Sequence, residues 1–223
     1  SNKMVSSRLN EASGNLKIII NPPFMPMEEE EADCSYDLPY MYMPHPKYNK
    51  KEDIPAWEMI KFSVNIHRGC FGGCSFCAIA AHQGKQIVSR SENSIMKEVR
   101  KISQMADFKG YISDVGGPSA NMYRMKGKDM NLCRVCSRPS CIWPAVCTNL
   151  NVSHKSLTEL YKKVDRVAGI KKSFIGSGVR YDLLFAEWNK SAGKDEAEYL
   201  EELVRNHVSG RLKVAPEHTS NGV

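Results

Sequence analysis

The chain has 223 residues, 42% of them hydrophobic and 25% charged, with a formal net charge of +6. That length suffices for one domain with a sizeable core. No apolar run approaches the roughly eighteen residues of a membrane span, so no transmembrane helix is expected. The opening SNKMVSSRLNEASGN is polar and lacks the apolar stretch of a secretory signal; a cytoplasmic location is expected. The basic excess is compatible with RNA as a partner, but without a Lys/Arg block it does not point to one.

In chain order, Leu16–Ile20 (LKIII) predicts a short buried strand ended by Pro22-Pro23. From Phe24 to Pro55 the chain is rich in Pro, Met, Tyr and charge, and the acidic run Glu28–Glu31 reads as a solvated loop. Residues 1–60 are therefore expected to be an arm from an upstream region and residues 61–223 the core. KFSVNIH alternates Phe62, Val64 and Ile66 with polar residues, the period of a strand. Ser91 and Ser94 precede a helix over 95–105 carrying Ile95, Val99 and Ile102 on one face. A second strand is predicted at Tyr111–Val115, closed by Gly116-Gly117-Pro118, and then a helix over 153–167 with Leu157, Leu160, Val164 and Val167. Strands at Ser173–Gly176 and Leu212–Ala215 flank a helix over 195–208 with Ala197, Leu200, Leu203 and Val204. Strand and helix alternating four times indicate an α/β protein with a parallel sheet, whose chemistry belongs at the carboxyl ends of the strands.

Seven of the eight cysteines fall in two clusters, which argues for metal ligation by reduced thiols rather than a disulfide framework. Cys34 stands alone and reads as a small hydrophobe. Cys70, Cys74 and Cys77 follow the first core strand with C-x3-C-x2-C spacing, among Gly69, Gly72 and Gly73. Structural zinc wants four ligands, and His67 or His82 offers a fourth. A [4Fe–4S] cluster on three thiolates leaves one iron open to an outside molecule. The second cluster, Cys133, Cys136, Cys141 and Cys147, lies in an insertion at 130–150. Its four thiols satisfy zinc or a fully ligated [4Fe–4S] cluster equally well.

The triad with Phe76 before its last cysteine resembles the radical S-adenosylmethionine (radical SAM) superfamily. SVNIHRGCFGGCSFC, ISDVGGPSANMY, FIGSGVRYDLL and KVAPEHT together resemble its YgiQ-type proteins. The resemblance implies a fragment of a longer chain: an arm plus about four units of a partial parallel (βα)6, TIM-like barrel. It implies a [4Fe–4S] cluster on Cys70, Cys74 and Cys77 whose open iron holds S-adenosylmethionine, and an electron donor such as flavodoxin or ferredoxin. It also implies cofactor contacts from Phe76 to the adenine, Gly116 and Gly117 to the methionine amino group, and Glu217 to the ribose. After the third predicted core strand come Ser177 and Arg180, whose planar fork suits the cofactor's carboxylate, a substrate acid or a salt bridge to Asp182 or to a nearby helix, and His218 is a candidate proton shuttle. Pro118 stands where the superfamily carries a glutamate, leaving main-chain contacts and Asp114 to compensate. The reading from a different class is a zinc-stabilised, basic nucleic-acid-binding module without catalysis. The substrate is not legible.

Overall fold

The structure, a computed structural model, describes residues 9–20, 25–48, 54–186 and 193–214. Strands β1 (Leu9–Ser13) and β2 (Leu16–Ile20) form an antiparallel hairpin turned at Gly14, φ +59°. The LKIII strand exists, but Leu16 is 74% exposed and Ile18 and Ile19 are open to solvent. The expected burial is not met because its only sheet partner among the described residues is β1, and a two-stranded ribbon has no second layer to cover it.

The acidic run also departs from expectation. Glu29 begins helix α1 (Glu29–Tyr36), with the Glu28 N–H donating to the Glu31 carboxylate at 3.0 Å. Carboxylates clustered at a helix N-terminus meet the unpaired N–H groups there, which offsets their mutual repulsion. The arm is not a loose connector at this point. Asp33 accepts the Ser91 N–H (2.9 Å), and Asp37 accepts the Ser94 hydroxyl (2.7 Å) and pairs with Lys97. Cys34 is exposed rather than packed as a hydrophobe.

A short turn at Pro46–Tyr48 and helix α2 (Pro55–Ile60) lead to the core. Its strands are β3 (Ser63–Asn65), β4 (His67–Arg68), β5 (Val88–Ser89), β6 (Tyr111–Ile112), β7 (Asp114–Gly116) and β8 (Lys172–Ser173). Its helices are α3 (Ile79–His82), α4 (Glu92–Ser103), α5 (Met130–Val135), α6 (Lys155–Asp165), α7 (Tyr181–Phe185) and α8 (Gly193–Glu202), the last running into a π turn at Leu203–His207. β3 pairs parallel to β7, with Val64 opposite Val115, and β6 pairs parallel to β8, with Ile112 opposite Ser173. The Ser113 N–H reaches the Phe62 carbonyl and the Val115 N–H the Phe174 carbonyl, so the middle segment bonds to a neighbour on each side. The predicted strand at 212–215 is present as a parallel bridge of Val179 to Val214, with Ala215 outside the described residues. The α/β class holds; among the described residues the parallel pairs form small sheets and not a closed barrel.

Helices α4 and α6 cover this sheet as their periodicity requires. Ile95, Val99 and Ile102 from one, and Leu157, Leu160 and Val164 from the other, are buried with Val64, Ile66, Ile112 and Val115. Each such side chain contributes roughly 1.5–3 kcal/mol. Helix α8 and the turn after it meet expectation in part: Leu203 is buried and Leu200 packs against the core, while Ala197 and Val204 are exposed and Glu196, Tyr199 and His207 are buried instead. The π turn widens the helix over 203–207 and swings Val204 outward, and Tyr199 packs by stacking on His154, with ring centroids 4.5 Å apart.

Candidate metal centre

The first strand delivers the chain to the cysteine loop. Ile66 donates its N–H to the Gly116 carbonyl (2.8 Å) and is fully buried, which holds the ends of β3 and β7 together. Beyond Arg68 the loop carries Cys70, Cys74 and Cys77, all partly buried and all free thiols. At Gly72 the space a Cβ would occupy lies 3.3 Å from the Cys70 sulfur and 3.7 Å from that of Cys74. The bare backbone thus leaves a cradle between two thiols that any side chain would fill. Burial pushes the Cys70 thiol up, against the Gly72 N–H and the Arg180 charge, which favour the thiolate. An isolated buried thiolate is costly here, and a bound cation removes that cost. The residues present therefore fit a thiolate-bound metal or cluster.

Arg180 forms a salt bridge to Asp182 at the edge of the cysteine loop. Its Nε and Nη2 grip Asp182 in a fork (3.1 and 2.6 Å), while Nη1 lies 3.7 Å from the Cys74 sulfur. Burial works against its charge, but the Asp182 carboxylate and Cys74 outweigh that and hold Arg180 above its ordinary value. Its backbone is fixed by Asn121, whose Oδ1 accepts the Arg180 N–H (2.7 Å) and whose Nδ2 donates to the Arg180 carbonyl (3.0 Å).

The Gly116-Gly117 turn has no room for side chains. A Cβ on Gly116 would meet the Ser177 hydroxyl at 2.7 Å, and one on Gly117 would meet the His67 ring at 2.5–2.8 Å. Asp114 is committed to the next strand end, accepting the Gly176 N–H (2.8 Å), the Ser177 N–H (3.1 Å) and the Ser177 hydroxyl. That engagement makes it a pin between strand ends. Phe76 is 69% exposed. Glu217 and His218 lie outside the described residues.

His67, offered by the sequence as a zinc ligand, is fully buried beneath Gly117, and among the described residues neither ring nitrogen has a hydrogen-bond partner. Burial alone lowers its pKa to about 4, so the ring is neutral at pH 7. Asn121 and His154 were missed by sequence reasoning. A buried amide fixing a backbone 59 residues away has no local signature, though its position in the turn after β7 was a cue.

The second cysteine set sits against the first. A Cβ on Gly73, φ +65°, would lie 2.5 Å from the Pro139 carbonyl, and the Cys141 N–H donates to the Phe71 carbonyl at 3.1 Å. Phe71 is buried with Met122, Met125, Ile142 and Leu150, against which Cys70, Cys141 and Cys147 pack. Asn149 donates from Nδ2 to the Cys133 sulfur at 3.3 Å.

Comparison with known proteins gives the class first. Residues 1–63 match the family described as radical SAM N-terminal. Over its whole length the chain is 62% identical to a UPF0313 protein of Bacteroides thetaiotaomicron and 57% identical to one of Porphyromonas gingivalis, covering 36% and 35% of those proteins. A UPF0313 protein of Pseudomonas putida is 48% identical over 94% of the chain, which covers 26% of it. The resemblance to the radical SAM superfamily is borne out. The chain spans about a third of the length of its first two curated relatives. Among the described residues no helix is long and apolar enough to cross a membrane.

Proposed function

We propose that the protein carrying this chain is a radical SAM enzyme built on a partial (βα)6 barrel, with Cys70, Cys74 and Cys77 as the ligands of its [4Fe–4S] cluster. The observation that carries this reading is the Gly72 cradle, where two partly buried thiols and the Arg180 guanidinium face one side-chain-free spot of backbone. When bound, such a cluster supplies the electron that cleaves S-adenosylmethionine to a 5′-deoxyadenosyl radical, which abstracts hydrogen from a substrate. The chain's own residues bind and exclude. The glycine backbone gives close approach, and Gly116 and Gly117 offer main-chain groups to the methionine end. Arg180, spent on Asp182 through Nε and Nη2, keeps Nη1 for the cluster loop or the carboxylate beside it. In this reading the partners are S-adenosylmethionine and a flavodoxin- or ferredoxin-type donor in the cytoplasm.

The test is anaerobic reconstitution of the full-length protein and assay of 5′-deoxyadenosine. Steady formation, abolished by Cys70→Ala, Cys74→Ala or Cys77→Ala, is the expected result. A fully reconstituted, reduced protein that forms none overturns the reading. Zinc in place of iron at the triad moves the protein to the binding-module class.

A further inference from the structure

Four thiols on one short insertion converge without pairing. Cys133, Cys136, Cys141 and Cys147 are all free. Cys141 lies in the field of the other three, and Cys133 in that of Cys136 and Cys147. The backbone builds this convergence: the Cys136 N–H bonds the Cys133 carbonyl (3.2 Å), the Cys147 N–H bonds the Cys141 carbonyl (2.8 Å), and Arg138 clasps the loop through the Trp143 and Ala145 carbonyls. Four partly buried, unpaired thiols on one insertion make a ligand set that a cation can take as thiolates.

The spacing discriminates between metals. Zinc–sulfur bonds of about 2.3 Å in a tetrahedron hold sulfurs about 3.8 Å apart. Among the described residues only Asp165, Glu202 and His207 bring three ligand atoms within 4.8 Å of one another, so no three of these thiols do. Cys133, Cys141 and Cys147 instead line a cavity of about 430 Å³, far more than one ion fills. Wide-set thiols around open space suit a polynuclear iron–sulfur core.

Position supplies the role. Cys141 is one backbone hydrogen bond from Phe71, the neighbour of Cys70, so the two sets are joined by a single N–H···O contact. The outer face of the insertion carries exposed Leu132, Val135 and Trp143. Residues 124–138 add Lys126, Lys128 and Arg134 against Asp129, while Arg124 is paired with Glu29 and Arg138 with the loop carbonyls. An apolar patch with basic neighbours fits an acidic one-electron carrier.

We propose that the Cys133–Cys147 set holds a second [4Fe–4S] centre and that this centre is where the electron enters. The acidic carrier is oxidised by one electron and the second centre is reduced from 2+ to 1+. It then returns to 2+ by passing that electron through the Cys141–Phe71 contact to the first cluster, and no bond or proton moves. The centre stands on its own observations; its role as a relay rests on the radical SAM reading above.

The experiment uses the full-length protein prepared anaerobically. Wild type is expected to hold about eight irons per chain, and a Cys70→Ala/Cys74→Ala/Cys77→Ala variant about four, with an EPR signal indifferent to S-adenosylmethionine. One zinc and no iron in that variant, or only about four irons in wild type lost entirely with the triad, overturns the second centre. A wild-type signal that ignores S-adenosylmethionine defeats the radical SAM reading alone, and the variant's iron still decides the second centre. For the relay, Lys126→Glu/Arg134→Glu should keep full iron content yet be reduced by a flavodoxin at least about tenfold more slowly, while reduction by dithionite is unchanged. Equal rates with flavodoxin overturn the relay.

Discussion

The Cys70–Cys77 loop and the Cys133–Cys147 insertion touch at Gly73 and Pro139, yet they are held in different ways. The first hangs from the sheet: its strand is bonded to β7 through Ile66, its flank is roofed by Gly117 over His67, and Arg180 reaches in from the end of the third strand. The second lies in the insertion at 130–150, which begins with α5. It is a loop clasped by Arg138 and laid over the Phe71–Met125–Leu150 cluster. A site with three ligands and a waiting position needs rigid walls supplied from elsewhere in the fold, because its geometry is incomplete by itself. A site with four ligands closes on itself and can be carried by a loop.

Acid should separate the two regions most. The folded pKa of His67 is about 4, below its ordinary value of about 6.5. Between these values the unfolded chain binds the proton and the folded one does not. Stability from the neutral ring is therefore full above about pH 6.5 and is lost as pH falls toward 4, by on the order of 3 kcal/mol. Urea unfolding at pH 7 and pH 4.5 should show this loss in wild type and much less of it in His67→Leu; equal slopes in the two proteins would sink the assignment.

Gly73→Ala attacks the contact between the sets. A Cβ at positive φ, pressed on a carbonyl that cannot move freely, should cost about 1–3 kcal/mol, read as a lower melting temperature. The same change at Gly84, also at positive φ but with open space around it, should cost less, so equal losses would mean that strain alone is at work. Arg180→Lys keeps the charge and loses the fork on Asp182. The S-adenosylmethionine needed for half the EPR shift should rise about tenfold, as for the loss of one charge-assisted hydrogen bond; an unmoved midpoint would leave Arg180 a purely structural residue. The smallest effect belongs away from both sets. Ser91 caps α4 by accepting the Ser94 N–H at 3.1 Å, and Ser91→Ala should cost about 1 kcal/mol by urea titration while leaving iron content intact.

The alternation of Val64 and Ile66 and the apolar faces of α4 and α6 were legible because a strand or helix half-buried on one side writes its period into the chain. Helix α8 was legible only at Leu200 and Leu203, because Glu196, Tyr199 and, in the π turn, His207 share the burial and that turn breaks the period. The acidic helix was obscured by its own charge, whose favourable partners are the N–H groups of its first turn. Strand β2 (LKIII) shows the converse: an apolar run that predicts burial and lies on the surface, since burial is a property of neighbours.

By itself the sequence determined which thiols lie together. Cys70, Cys74 and Cys77 fall within eight residues of one loop, and thiols that close in the chain are close in space under any fold. It also determined the alternation of strand and helix, which is local in origin. Only the tertiary structure decided that the two cysteine sets adjoin, that Asp114 is spent on Ser177, that Asn121 fixes Arg180 and that His67 is sealed neutral beneath Gly117. Each of those contacts spans at least 50 residues of chain. Such contacts form only when packed strands and helices bring distant loops together, a cost in chain entropy that the shared core offsets collectively.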